Sequence, residues 1–214
     1  MCGRTVLAAD PEIILQRYHL RRWLNQERYR PSYNVAPTQQ QPVMLQDAAT
    51  GERVLRSMRW GLIFPAPTAC EYAERCTEDH ALPQPINARA ESLIEGKLIF
   101  SAIKRRQRCV IIAEGYYEWL CKGRWRVPYY VRPVNKGLML LAGVYSITRV
   151  NGEDVYSYAI VTTSAFTQLE FLHERMPVIF DDSSDALTHW LDPLVDWSEA
   201  VSDTLRPYAG EMEW

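Results

Sequence analysis

Residues Leu138 to Ser164 read LMLLAGVYSITRVNGEDVYSYAIVTTS, two runs of β-branched and aromatic residues on either side of a turn. Leu138 to Ile147 and Val155 to Ser164 have the composition of strands. Asn151-Gly152 between them is hairpin chemistry, because both residues accept the positive φ of a tight turn. This hairpin predicts a β-rich core. Working outward, Cys109 to Trp119 and Pro128 to Arg132 are further strands. Val54 to Leu62 alternates, with Val54, Met58, Trp60 and Leu62 on one side and Arg53, Arg59 and Gly61 on the other.

Helices are fewer. Asp10-Pro11 is an N-cap and first-turn pair, and Ile13, Ile14 and Tyr18 continue a helix that ends before Pro31. The pattern predicts a second helix from Glu91 to Arg106. Leu93, Ile94, Leu98, Phe100, Ala102 and Ile103 dominate one side of it, and Lys104, Arg105, Arg106 and Arg108 suit the negative end of its dipole. Two more fall within Ser183 to Leu191 and Trp197 to Leu205. Phe64 to Pro85, with four prolines and many charges, reads as a surface excursion. The class is α+β, a single domain over residues 1–192 with an acidic extension, 193–214, helical and packed on the same domain.

At 214 residues, 47% hydrophobic and 23% charged, the chain is long enough for one core, burying roughly 70% of its unfolded surface. Its longest uncharged apolar run, Leu138 to Tyr145, is far below the ~18 residues of a membrane helix. The N-terminus has no secretory h-region. We therefore expect a cytoplasmic protein with no membrane association. Five cysteines, an odd count without an export signal, argue against a disulfide framework. The net charge of −2 hides an asymmetry. Residues 181–214 hold nine acids against one arginine, while residues 1–180 carry 23 basic and 17 acidic residues. Twenty of the 24 basic residues are arginine, a bias that suits bidentate contacts with phosphate or carboxylate as well as an ordinary solvated surface.

Cys2 is the first candidate for chemistry. Methionine is removed before a small second residue, so the mature chain is expected to begin with a free cysteine, a 1,2-aminothiol. An α-amine titrates near pH 8, so far more of it is neutral at physiological pH than of a lysine. Such an amine condenses with an aldehyde, and the neighbouring thiol can close a five-membered ring on the same carbon. Glu118 is the second. If the strand continues past Val110 to Ala113, period two puts it on the face of Tyr116 and Leu120. A carboxyl on that face can give or take a proton, whereas on the opposite face it is only solvated. His173 precedes Met176-Pro177, a proline that holds its neighbour extended, and can sit at a site rim or on plain surface. Asn87 and Arg89 lie two apart, so an extended backbone points both the same way. Cys70, Cys76 and His80 supply three ligands at C-x5-C-x3-H spacing, which matches no common zinc pattern. No metal site is expected, and no P-loop, dinucleotide fingerprint or nucleophile elbow occurs.

Taken in order, seven segments resemble the SOS response-associated peptidase (SRAP) family. They are Met1-Cys2-Gly3-Arg4, Tyr33 to Thr38, Arg59 to Ile63, Ile86 to Glu91, Glu114 to Trp119, Ile160 to Thr163 and His173 to Ile179. The resemblance implies the SRAP fold, with curved, mainly antiparallel, barrel-like sheets. It also implies a sensor of abasic sites in single-stranded DNA, acting in the DNA damage response. In that function Cys2, once Met1 is gone, forms a thiazolidine crosslink with the ring-opened sugar, with possible lyase or crosslink-reversal activity. By motif, Asn87, Glu118 and His173 surround the sugar. Glu118 moves protons around Schiff-base formation, His173 protonates the sugar oxygen, and Asn87 positions the amine. Arg4, Asn34, Arg89, Thr162 and Arg175 would line the DNA groove through phosphates, and Trp119 would stack or wedge a base. No cofactor and no obligatory protein partner are implied, and a monomer is expected. A cysteine peptidase acting on its own leader and a non-covalent reader of modified bases are the competing functions.

Overall fold

The computed structural model describes residues 2–64 and 84–214. Cys70, Cys76, His80 and most of the Phe64 to Pro85 excursion fall outside these residues. Fourteen strands are described. They are β1 (Arg4–Leu7), β2 (Trp23–Leu24), β3 (Ser32–Val35), β4 (Gln40–Gln46), β5 (Arg53–Trp60), β6 (Asn87–Arg89), β7 (Arg108–Ala113), β8 (Gly115–Lys122), β9 (Trp125–Pro133), β10 (Met139–Val150), β11 (Glu153–Ser164), β12 (Arg175–Pro177), β13 (Ile179–Phe180) and β14 (Met212–Glu213). Five short helices accompany them: α1 (Pro11–Arg17), α2 (Ala90–Ile94), α3 (Leu98–Ser101), α4 (Asp185–Leu191) and α5 (Glu199–Ser202).

The predicted hairpin is β10–β11, paired without interruption from Val150↔Glu153 to Gly143↔Ile160. Its turn has φ of 50° at Asn151 and 85° at Gly152, both in the region the dipeptide was read to supply. From β10 the sheet runs through β7 and β4 to β5, and a parallel pairing of Ser157 with Arg59 joins β5 back to β11. Five strands thus close a barrel, which removes their free edges. A second sheet, in the order β14-β9-β8-β1-β3, packs against it.

Where the sequence reading departs from this architecture, local chemistry explains the difference. Cys109 to Trp119 is two strands, β7 and β8, because the chain leaves the barrel at Glu114 and enters the second sheet. All six residues of β7 are buried, Val110 and Ile112 in one apolar cluster and Cys109, Ile111 and Ala113 in the other. The single-faced reading of Val54 to Leu62 fails for the same reason. Leu55 packs on one cluster while Met58 and Trp60 pack on the other. The predicted Glu91 to Arg106 helix breaks into α2, α3 and a 3-10 turn at Gly96, whose φ of 71° is incompatible with a helix. The first helix stops at Arg17, and His19 adopts a φ of 52°.

The acidic extension, expected to be helical, contains only the four-residue α5 and ends as β14 on β9. Arg108, a buried cation, ties its start to the end of α4. Its guanidinium donates to the carbonyls of Trp190 at 2.8 Å, Asp192 at 2.6 Å and Val195 at 2.8 Å. No helix among the described residues is long and apolar enough to cross a membrane.

Candidate functional site

Pairing of β1 with β8 brings the start of the chain to Glu118. The antiparallel register Thr5↔Tyr116 and Arg4↔Tyr117 runs the residues before Arg4 along β8 in the direction of Glu118. Cys2 is buried there, at 1% exposure. Burial pushes its thiol well above the usual range, and the neighbouring charge of Glu118 adds to the effect. The sulfur is therefore held as S–H. β6 meets this point from the barrel. It pairs in parallel with β11, Asn87 opposite Ile160, and the Asn87 Nδ2 donates to the Cys2 carbonyl at 3.0 Å. The other amide atom, Oδ1, is buried with no hydrogen-bond partner among the described residues.

Glu118 is buried on the face of Tyr116, as period two requires, and both line a narrow crevice with Leu169, Leu172, His173 and Arg175. His173 is oriented by the backbone. The Arg175 N–H donates to its Nδ1 at 2.9 Å, and partial burial holds its pKa below the ordinary value. A ring nitrogen that accepts an N–H carries no proton, so the proton of the neutral ring resides on Nε2. His173 is therefore a neutral Nε2–H donor.

One arrangement was not legible in the sequence. The Arg175 side chain is 9% exposed and forks onto the Glu91 carboxylate, Nη1 to Oε1 at 2.5 Å and Nη2 to Oε2 at 2.8 Å. It also donates to the Thr162 carbonyl at 2.6 Å. β12 pairs with β11, Ser164 opposite Arg175, and the Arg175 side chain adds the bonds to Glu91 and Thr162 to that ladder, so these two residues support the strand whose amide fixes His173. Two opposite charges 84 positions apart leave no spacing signal.

The structure brings Cys2, Asn87, Glu118 and His173 together. The other residues assigned to a groove fall in separate places. Arg4 and Asn34 hydrogen-bond each other at 3.0 Å on the β1–β3 edge, and Arg89 is exposed beside Glu91. Thr162 is fully buried, because β11 is covered by both β6 and β12. Its side chain does not line a groove; it supports Arg175. Trp119 is half-buried and tilts against Tyr117, ring centroids 6.4 Å apart.

A thiol, a carboxylate, a carboxamide and a neutral imidazole gathered around the first residues of a barrel protein form a donor and acceptor set suited to carbonyl chemistry. Among the described residues no cluster of three or more metal-ligating side chains occurs. The chain belongs to the SOS response associated peptidase (SRAP) family, whose sequence model matches residues 1–214. It is 32% identical over 217 residues to the abasic site processing protein YoqW of Bacillus subtilis (strain 168), covering 100% of this chain and 90% of that one. It is 29% identical over 233 residues to the abasic site processing protein HMCES of Xenopus tropicalis. That alignment covers 90% of this chain but only 66% of the relative, so the chain spans just under two thirds of the vertebrate protein. A solved structure from Bacteroides thetaiotaomicron shares the fold, with a TM-score of 0.76 at 21% identity over 99% of this chain and 90% of that one.

Proposed function

We propose that this protein processes abasic sites in single-stranded DNA by capturing the sugar aldehyde on Cys2 as a thiazolidine. The observation that carries the reading is the burial of Cys2 beside Glu118, with Asn87 on its carbonyl and His173 in the same crevice as Glu118. Its relatives YoqW and HMCES are named for abasic site processing, which supports the same substrate.

The raised thiol sets the order of steps. A sulfur held as S–H is a poor first nucleophile, whereas an α-amine titrating near pH 8 is partly neutral at physiological pH. Removal of Met1 frees that amine. His173 Nε2–H donates to the ring oxygen of the abasic sugar as it opens to the aldehyde. The Cys2 nitrogen then attacks the carbonyl carbon, and the carbinolamine loses water to give an imine. The sulfur adds to the same carbon, and its proton ends on the nitrogen. Aldehyde and aminothiol thus give thiazolidine and one water, with no redox partner. Glu118 is the base and acid that carries these protons, and Asn87 fixes the Cys2 carbonyl so that nitrogen and sulfur stay aimed at one carbon. Running the same protons backwards through Glu118 would reverse the linkage.

The test is a denaturing gel of the mature protein mixed with an oligonucleotide carrying one abasic site. The expected result is a heat-stable shifted band, absent for Cys2→Ala and for a form that retains Met1. DNA binding without any covalent band would favour a non-covalent reader. Cleavage of a peptide substrate by a form retaining Met1 would favour a peptidase.

A further inference from the structure

β8 and β9 outrun the sheet that holds them. β1 pairs with β8 only at Gly115 to Tyr117, and β14 pairs with β9 only at Arg132 and Pro133. Beyond those contacts the two strands, among the described residues, pair with each other alone, Glu118↔Tyr129 through Lys122↔Trp125. Every residue from Cys121 to Pro128 is exposed. The ribbon therefore starts at the reacting carboxylate and extends four residues past it, about 13 Å at ~3.3 Å per residue.

Its composition is one-sided. Lys122, Arg124 and Arg126 are its charges, with no acid between Trp119 and Arg132. Among the described residues none of the three makes an ion pair or a side-chain hydrogen bond. Trp125 is 72% exposed and Val127 40% exposed. A free edge is usually blunted by charge and proline, and Lys122 and Pro128 fit that purpose. A bare tryptophan does the opposite, because it adds an adhesive surface to an unpaired edge. Lys122 beside a largely exposed indole, with Arg124 next to it at the turn, matches a polyanion with flat bases, while Arg126, opposite Cys121, lies on the other face of the ribbon. The alternation of the strands places Trp125 and Lys122 on the same face as Glu118 and Tyr129.

Resting on the reading given under Proposed function, we propose that the β8–β9 ribbon is a second DNA subsite. There Trp125 stacks an unpaired base, and Lys122 and Arg124 neutralise phosphates of the same strand that presents the abasic sugar at Glu118. Its distance from Glu118 spans about four stacked nucleotides, at ~3.4 Å each.

Oligonucleotide length is the test. Wild type and Trp125→Ala are each given an abasic trinucleotide, too short to reach the ribbon, and a 20-mer with the abasic site at its centre. We expect equal crosslinking of the trinucleotide and about tenfold weaker apparent affinity of Trp125→Ala for the 20-mer, within the range of one lost base stack. Replacing Lys122 and Arg124 together by serine should lower the salt slope of 20-mer binding by about 1.4, at ~0.7 per neutralised phosphate. Equal 20-mer affinity and an unchanged salt slope in both variants would overturn the proposal while leaving the crosslinking chemistry standing. A wild type that crosslinks neither oligonucleotide would overturn the chemistry as well. If light scattering finds a wild-type dimer that Trp125→Ala dissociates without loss of DNA affinity, the ribbon belongs to a second copy and the subsite is refuted. All of these residues are exposed, and an unchanged circular dichroism spectrum checks that the variants fold.

Discussion

Asn87→Asp tests whether the amide at the head of β6 holds the reacting residue in place. The change keeps the shape of the side chain and replaces the Nδ2 donor, 3.0 Å from the Cys2 carbonyl, with a carboxylate oxygen. The hydrogen bond is lost, worth about 1 kcal/mol net, and the new oxygen faces another acceptor, so the total penalty is roughly 1–3 kcal/mol. The strand itself should survive, because β6 is held by its backbone ladder to β11 and by the Ile160 N–H on the Ile86 carbonyl at 3.0 Å. If the bond aims the Cys2 amine, the cost falls on the population of the competent arrangement. At ~1.4 kcal/mol per tenfold in rate, the crosslink forms about 5- to 140-fold more slowly. Single-turnover quenched reactions with excess protein, resolved on a denaturing gel, measure this directly. Fluorescence anisotropy with Cys2→Ala in the same background separates DNA binding from chemistry. A rate within twofold of wild type, at unchanged melting temperature and DNA affinity, would refute a positioning role for Asn87.

Glu91→Ala leaves the mostly buried Arg175 guanidinium with Thr162 as its remaining partner. About 1–2 kcal/mol should be lost, since Glu91 is itself half exposed, lowering the melting temperature by roughly 2–8 °C. Crosslinking should also slow severalfold as His173 loses its fixed ring. Wild-type melting and kinetics would exclude Glu91 from the support of His173. The pH dependence follows from the same ring. Its folded pKa lies below the ordinary 6.5, so the unfolded chain binds the proton first, and the contribution of His173 to stability is lost as pH falls below about 6.5. Protonation also breaks the Arg175 N–H contact to Nδ1. Crosslinking rates and melts taken between pH 5 and 8 should both fall at the acid end, and His173→Gln should flatten the rate profile there. Gly143→Ala probes the barrel. A Cβ at this position would lie 2.3 Å from Ile111 Cδ1 and 3.1 Å from the Ala159 carbonyl. Overpacking of about 1–3 kcal/mol should lower the melting temperature by roughly 3–10 °C, and an unchanged melt would show that the barrel gives way at no cost.

Asn87 and His173 joined the site candidates only through the resemblance to the SRAP family, whereas the β-rich core, the Asn151-Gly152 hairpin and the candidates Cys2 and Glu118 could be read from the chain itself. Each rests on local chemistry: a turn that needs positive φ, a two-residue alternation, a small residue after Met1. That reading failed where burial on two sides erases alternation, as in β5 and β7, and where one glycine with φ of 71° ends a helix that periodicity would continue. Other features exist only in three dimensions. Closure of the barrel through β5 and β11, the gathering of β1, β6, β8 and the loop before β12 around Cys2, the Glu91–Arg175 fork and the exposure of the β8–β9 ribbon join residues far apart in sequence. Hydrogen bonds and ion pairs act over about 3 Å whatever the length of chain between their partners. The sequence therefore determined which chemical groups this protein possesses, and packing alone decided which of them meet and which remain exposed.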